Sequence, residues 1–214
     1  MHRGGLVWSR QALDGQPTWR GSVKLTGGGC FIQLAVHYIH VFEWLIGERV
    51  RRVIAITKNT QCPGIEGEDL TSAILEFESG ILATLDMAWN TAGEQLSIHG
   101  TRGSVQYLNS RWLFLESNIG AFRGRVVDFK ESTEASSKGM GSPAQTIEVV
   151  PPEWGDFSNP LNQHRQFLEA VRDSRPPFVS IASGIDDLRV IAGVYESAST
   201  GLIVALGAPV MQSA

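Results

Sequence analysis

EDLTSAILEFESGILATLDMAWN, residues 68–90, is the stretch on which the fold turns. Its first half sets Ala73, Leu75 and Phe77 against Ser72, Ile74 and Glu76. Its second half sets Ile81, Ala83, Leu85, Met87 and Trp89 against Leu82, Thr84, Asp86 and Asn90. A repeat of two belongs to a strand, whose successive side chains point to opposite faces, so each run has a drier face and a wetter one. The connection ESG supplies a glycine for the positive φ of a hairpin turn, and antiparallel pairing follows.

The same pattern extends in both directions. Upstream, VRRVIAIT (50–57) is rich in β-branched residues. Downstream, QLSIHGTRGSVQYL (95–108) repeats the hairpin device, with Gly100 and Gly103 bracketing a turn between Leu96/Ile98 and Val105/Tyr107. RWLFLE, RVVDFK and QTIEVV add short strands, which makes the middle of the chain a meander. ESTEASSKGMGSPA (131–144) is small and polar and predicts a mobile loop. At the N-terminus Leu6–Trp8 predicts an incoming strand followed by a loop.

Two helical regions flank the strands. LTGGGCFIQLAVHYIHVFEWLIG (25–47) is apolar except for Gln33, His37, His40 and Glu43, whose spacings of four, three and three put them on one narrow line of a helix. An ordinary surface helix has a broad polar face, so this line faces a thin strip of solvent or a wet cleft. Gly27–Gly29 break the backbone before the helix and Gly47 ends it. NPLNQHRQFLEAVRDS (159–174) has Leu161, Phe167, Leu168 and Val171 near helical spacing, with Asn159 as cap and Pro160 in the first turn; Asn162 and His164 read as capping or solvated. SGIDDLRVIAGVYESASTGLIVAL (183–206) predicts a longer helix with Ile185, Leu188, Ile191 or Ala192, and Tyr195 on one face. Its small residues Gly193, Ala198, Ser199 and Gly201 permit close packing. The order helix, many strands, two helices gives an α+β fold: an open, mainly antiparallel sheet with helices packed on one face, in one domain over 1–214.

Composition narrows the function. A charged fraction of 19% and a net charge of -4 provide no basic stripe for a phosphate backbone, which argues against nucleic acid. His37 and Glu43 interrupt the longest apolar run below the roughly 20 residues of a membrane span, and MHRGGLVW lacks the apolar core of a signal peptide. A cytoplasmic protein with no membrane partner is the expectation. Cys30 and Cys62 have no C-x-x-C spacing and are expected to be free thiols. No G-x-G-x-x-G follows a strand and opens a helix, no G-x-x-x-x-G-K-[ST] occurs, and no β-α-β series is present. A nucleotide-binding half is therefore not expected in this chain.

The strings WRGSVKLTGGGCFIQLAVHYIHVFEWLIG, EDLTSAILEFESGILATLDMAWN, QLSIHGTRGSVQ and HRQFLEAVRDSRPPFVSIASGIDDLRVIAGVYESASTGLIVAL occur in that order. Together they resemble the C-terminal domain of the Gfo/Idh/MocA oxidoreductases (glucose-fructose oxidoreductase, inositol dehydrogenase, rhizopine catabolism). The resemblance covers nearly all of the chain after Trp19; its most specific parts are the GGG-to-His37-to-WLIG helix and the IHGTRGS hairpin. It implies a dihydrodipicolinate-reductase-like C-terminal domain that binds a sugar or cyclitol. An N-terminal Rossmann domain, absent from this sequence, would hold NAD or NADP and a catalytic lysine. The chain is then most simply one part of a longer enzyme, with no cofactor expected on it alone and a homodimer or tetramer expected through the sheet face.

The resemblance also implies site residues. The family helix usually reads G-G-G, three residues, Asp or Asn, three residues, His. Here those positions hold Gln33 and His37. His37 matches and becomes the expected proton donor or acceptor. Gln33 departs: it can hydrogen-bond a substrate hydroxyl but cannot take a proton. His40 stands where the family commonly has Asp. Trp19 and Arg20 would lie near the substrate mouth, where an arginine fork can hold a carboxylate or phosphate.

Plainer readings stay open beside these. His37 can be a satisfied histidine at a helix–sheet junction, Trp19 a core residue and Arg20 a surface charge. His37, His40 and Glu43 lack the i, i+4 histidine pair of a helical zinc site, so no metal is expected. Gly27–Gly29 read as close backbone packing near a cofactor ring rather than as a phosphate cradle. The rival to the oxidoreductase reading is a non-catalytic sheet domain that binds a ligand or a partner.

Overall fold

The computed structural model describes residues 2–4, 19–101, 103–108, 111–115, 125–126, 147–148 and 160–207. The chain divides into two compact units, residues 1–93 with 179–214, and residues 94–178.

In the first unit the 68–90 stretch folds as its alternation predicts. Strands β2 (Val50–Lys58), β3 (Leu70–Phe77) and β4 (Leu82–Ala88) pair antiparallel, with Ile54 opposite Ile74 and Ile74 opposite Thr84. The hairpin closes through Phe77 N–H to the Ile81 carbonyl (2.9 Å) and Gly80 N–H to the Phe77 carbonyl (3.0 Å), with Gly80 at φ +89°. Ile81 therefore belongs to the turn and is exposed, contrary to its place in the inward set. Ala88, between Leu70 of β3 and Gly4 of β1 (His2–Gly4), is fully buried. Strand β1 runs parallel to β4, so the incoming strand exists at residues 2–4; Leu6–Trp8 lie outside the described residues.

The inward residues Val53, Ala55, Ala73, Leu75, Phe77, Leu85 and Met87 are buried beneath two helices. A short helix α1 (Val23–Thr26) precedes α2 (Cys30–Ile46), which buries Phe31, Ala35, Ile39 and Phe42 over β3 and β4. By length and composition Val23–Ile46, 24 residues of mean hydropathy 1.3, would also pass for a membrane span. Phe31, Ala35, Ile39 and Phe42 account for part of that apolar character, while Leu25, Trp44 and Leu45 are exposed.

The final helix, labelled α4 (Ile181–Thr200), lies over β2 and beside α2. It starts at a reciprocal cap: Ser180 Oγ accepts the Ser183 N–H, and Ser183 Oγ accepts the Ser180 N–H. It stops earlier than its sequence pattern suggests, at Gly201 (φ +72°). Val204 and Ala205 of LIVAL then form β10 (Val204–Ala205) on the edge of β2. Its buried side is also rotated from the expected one. Asp186, Asp187, Val190, Ile191, Val194 and Ser197 face inward, while Ile185 and Leu188 are exposed. Gly193 is the small residue that matters, because a Cβ there would collide with Leu206.

The outer sheet face of this unit is mixed. Ile54, Ile56, Ile74 and Leu82 are exposed beside a forked Arg52–Glu76 pair (2.7 and 2.8 Å) and a Ser72–Asp86 hydrogen bond.

In the second unit β5 (Glu94–Gly100), β6 (Gly103–Leu108) and β7 (Arg111–Leu115) form the expected antiparallel meander, and β8 (Arg125–Val126) pairs with β9 (Ile147–Glu148). Helix α3 (Pro160–Arg172) opens on the expected proline; Leu161, Phe167, Leu168 and Val171 are exposed, and Ala170 is buried. Asn159 and the 131–144 loop lie outside the described residues.

Candidate functional site

The site is built around the start of α2. Helix starts leave backbone N–H groups without intrahelical partners, and here the side chain just before β3 supplies them. The buried Glu68 accepts Gly29 N–H at Oε2 (2.9 Å) and Phe31 N–H at Oε1 (2.8 Å), while its carbonyl accepts Cys30 N–H (2.8 Å). Tyr195 of α4 donates its hydroxyl to Glu68 Oε1 (2.9 Å) and accepts Ile32 N–H (3.3 Å). Burial and the neighbouring Glu68 charge push the Tyr195 phenol far up, so it stays a donor. A Cβ on Gly28 would collide with the Tyr195 hydroxyl, and one on Gly29 with the Glu68 backbone. The glycine run thus serves close packing, and the negative charge that a helix start favours is this chain's own carboxylate. Phosphate has no place there.

A folded loop sets the Trp19–Gly21 turn beside that helix start. The buried Asp69 carboxylate accepts N–H groups from Thr60, Gln61 and Cys62, curling residues 60–62 around it. Further along the loop, Glu66 N–H donates to the Gly21 carbonyl (2.8 Å), and the Glu66 carboxylate accepts Val23 N–H (2.8 Å) and the Ser22 hydroxyl (3.2 Å). Gly21 lies so close to Gly64 that no side chain fits. Burial and Asp69 push the Cys62 thiol up to about 11, and burial raises Cys30 further; both are free thiols.

The turn delivers Arg20 to Gln33. Arg20 Nη1 donates to Gln33 Oε1 (3.3 Å), Gln33 Nε2 donates to the Arg20 carbonyl (3.0 Å), and the guanidinium lies 4.8 Å from the Trp19 ring centroid. Trp19 is 62% exposed, which removes the core reading of that residue. One turn further along α2, His37 is exposed and has no hydrogen-bond partner among the described residues, which removes the reading of a satisfied junction histidine. The structure therefore gathers Trp19, Arg20, Gln33 and His37 in one neighbourhood. An exposed indole, an oriented guanidinium and an imidazole can together hold a polyol ring and move a proton.

The other half of the polar line, half-exposed His40 and buried Glu43, is engaged by α4 and the residues that lead into β2. His40 Nδ1 lies 3.1 Å from Asp187 Oδ2 of α4. The buried Glu43 accepts Arg49 Nη1 and the Val50 N–H (3.1 Å); Asp186 lies 3.5 Å from Arg49 Nη2 and 3.8 Å from Arg189 Nε. Burial raises the Asp187 carboxyl, against the opposing pull of His40. Among the described residues no three His, Cys, Asp or Glu side chains converge as metal ligands.

Sequence reasoning missed Glu68, Asp69, Tyr195 and Asp187. Only the adjacent acids Asp186 and Asp187 within an apolar helix carried a local signal, since such a pair needs cationic or hydrogen-bonding partners.

Comparison with known proteins agrees with this architecture. Residues 3–106 match the family model of the GFO/IDH/MocA C-terminal domain. The chain is similar to the aldose-aldose oxidoreductase of Caulobacter crescentus, solved with glycerol: TM-score 0.72, 21% identity, covering 96% of this chain and 54% of that one. It is similar to the WlbA dehydrogenase of Bordetella pertussis, solved with NADH and UDP-GlcNAcA: TM-score 0.64, 17% identity, 97% and 53% covered. It is also similar to levoglucosan dehydrogenase in complex with NADH: TM-score 0.72, 16% identity, 96% and 57% covered. At these identities the likeness establishes the fold, and the chain spans about half the length of the solved proteins it matches.

Proposed function

We propose that the chain, whose residues 3–106 match the model of the GFO/IDH/MocA C-terminal domain, belongs to that family and is the substrate-binding and oligomerisation half of an NAD(P)-dependent oxidoreductase acting on a sugar, sugar derivative or cyclitol. The observation that carries this reading is the start of the polar line, half-buried Gln33 and exposed His37, on the side of α2 away from its buried residues, with Arg20 and Trp19 brought to it from a separate turn. His37 gives or takes the proton of the reacting hydroxyl. Trp19 offers a ring face to the sugar and Arg20 a fork to its polar groups. Both ends of the Gln33 amide engage Arg20, so Gln33 acts on substrate mainly by orienting that guanidinium.

NAD(P) supplies the redox chemistry when bound. The described residues of this chain do not fit it, because the amide donors at the start of α2 are already taken by Glu68 and Tyr195. The cofactor accordingly belongs on a Rossmann half outside this sequence. The partly apolar outer face formed by Ile54, Ile56, Ile74 and Leu82 suits a self-complementary two-fold contact. Sedimentation equilibrium of this chain is expected to give a multiple of 23.3 kDa, and Ile56→Lys to shift it toward one copy; a single 23.3 kDa species for the unaltered chain overturns the interface.

The test of activity uses the full-length protein that carries this domain, with NAD+ or NADP+ and a panel of aldoses, uronates and inositols. Absorbance of reduced nicotinamide is the expected result. Tight sugar binding without reduction would instead support the non-catalytic reading, which the untitratable Gln33 favours.

A further inference from the structure

The polar line of α2 contains a second imidazole whose surroundings differ from those of His37. The Asp187 side chain is 5% exposed, and His40 is the one partner its carboxylate has among the described residues; its other oxygen has none. The neighbouring acids are engaged elsewhere, Glu43 by Arg49 and the Val50 N–H, Asp186 by Arg49 and Arg189. His40 is 28% exposed, with Nδ1 on the carboxylate and no second partner among the described residues, which leaves Nε2 to meet what lies outside. Seven residues separate His40 from Gln33, nearly two whole turns, so the two share one side of the helix. Three separate it from His37, which puts their Cβ atoms about 5–6 Å apart.

We propose that His40, backed by Asp187, is a second acid–base group of the candidate site, supplying the carboxylate-linked proton handling that Gln33 cannot. The proposal rests on the oxidoreductase reading above. A carboxylate on one ring nitrogen holds the proton there, presents the other nitrogen as a base, and stabilises the imidazolium once formed. In the oxidative direction the substrate O–H bond breaks as His37 takes its proton, that proton passes on from His37 to His40, where an Nε2–H bond forms, and the carbinol C–H bond breaks as hydride leaves. The positive charge created on the ring faces Asp187, and the oxidant that takes the two electrons is the oxidised nicotinamide of the complete enzyme. The charges around the ring are His37 and Glu43 on α2, Asp186, Asp187 and Arg189 on α4, and Arg49 before β2. Their anions are balanced by two guanidiniums and, when it carries the proton, His40.

The experiment compares full-length wild type, His40→Gln, Asp187→Asn and His40→Gly across pH, with folding followed by circular dichroism. His40→Gln and Asp187→Asn are each expected to lower kcat about tenfold or more with KM little changed, and to move the pH profile of kcat. Free imidazole is expected to restore part of the His40→Gly turnover, which a purely structural histidine would not allow. If Asp187→Asn fails to fold, the two His40 variants and the imidazole rescue still decide. An active wild type whose His40→Gln variant keeps its rate and pH profile overturns the dyad alone. A wild type that reduces no nicotinamide with any of the panel overturns the oxidoreductase reading, and the dyad's role with it.

Discussion

The first turn of α2 and the turn that follows it use polar groups in opposite ways. At the start, the N–H groups of Gly29, Cys30, Phe31 and Ile32 are all satisfied by Glu68 and Tyr195, which come from 39 and more than 160 residues away. At the next turn, His37 faces out with no partner among the described residues. A polar cluster that closes on itself fixes architecture. A polar group held open on the uncovered side of a helix is available to something outside the chain. The two turns should therefore fail differently when altered, one losing the fold and the other losing only chemistry.

The largest effect is expected from Glu68→Ala. The substitution strands two buried N–H groups and the Tyr195 hydroxyl at once, a loss of about 3–5 kcal/mol by analogy with breaking buried charge-linked networks. Urea unfolding of the isolated chain measures it. A midpoint within error of the wild type would show that the start of α2 does not depend on this carboxylate.

His37→Ala should do the reverse. An exposed, unpartnered side chain contributes within about 0.5 kcal/mol to stability, so the unfolding midpoint should stay where it is. Turnover of the full-length enzyme should fall about a hundredfold, with the affinity for nicotinamide unchanged. Equal rates for variant and wild type would erase the functional half of the contrast. A calorimetric titration of the isolated chain with NADH sharpens it further: no binding is expected, since Glu68 already occupies the one helix start the sequence offered to a phosphate, and micromolar affinity would contradict that assignment.

What could be read from the sequence and what could not divide along the same line. The strands of residues 50–108 were legible because burial on one face imprints a repeat of two on neighbouring residues. The core side of α2 was legible for the same reason at the helical period, and so was the narrow polar line on its far side. Glu68, Tyr195 and Asp187 were not, because each meets its partner across a long stretch of chain and leaves no local period. The inward side of α4 was misread because two buried acids, Asp186 and Asp187, stand where an apolar stripe would have marked it, and their burial depends on Arg49 and His40 from elsewhere. Gln33 stood out by its place on the polar line, Trp19 and Arg20 through a family resemblance, and their mutual contact is a product of the 60–69 loop, which has no repeat to read.

That loop carries the smallest of the expected effects. It belongs with the closed region: Asp69 gathers three N–H groups, and Cys62 is buried beside it with its thiol pushed up to about 11 by burial and by the Asp69 charge. In the unfolded chain the same thiol ionises near 9.0. Between those two values the unfolded state gives up its proton while the folded state keeps it, so the folded state binds more protons and stability falls as pH rises through this window. Below about pH 8 both states hold the proton and the contribution is flat. The urea midpoint of wild type should accordingly decline between pH 9 and pH 11 more steeply than that of Cys62→Ala, and a thiol reagent at pH 8 should label Cys62 only as fast as the loop opens. Parallel declines for the two proteins, or immediate labelling of the native chain, would mean that the loop beneath Trp19 and Arg20 is open to water. The Arg20–Gln33 contact would then lack the rigid support that sets it apart from the free imidazole of His37.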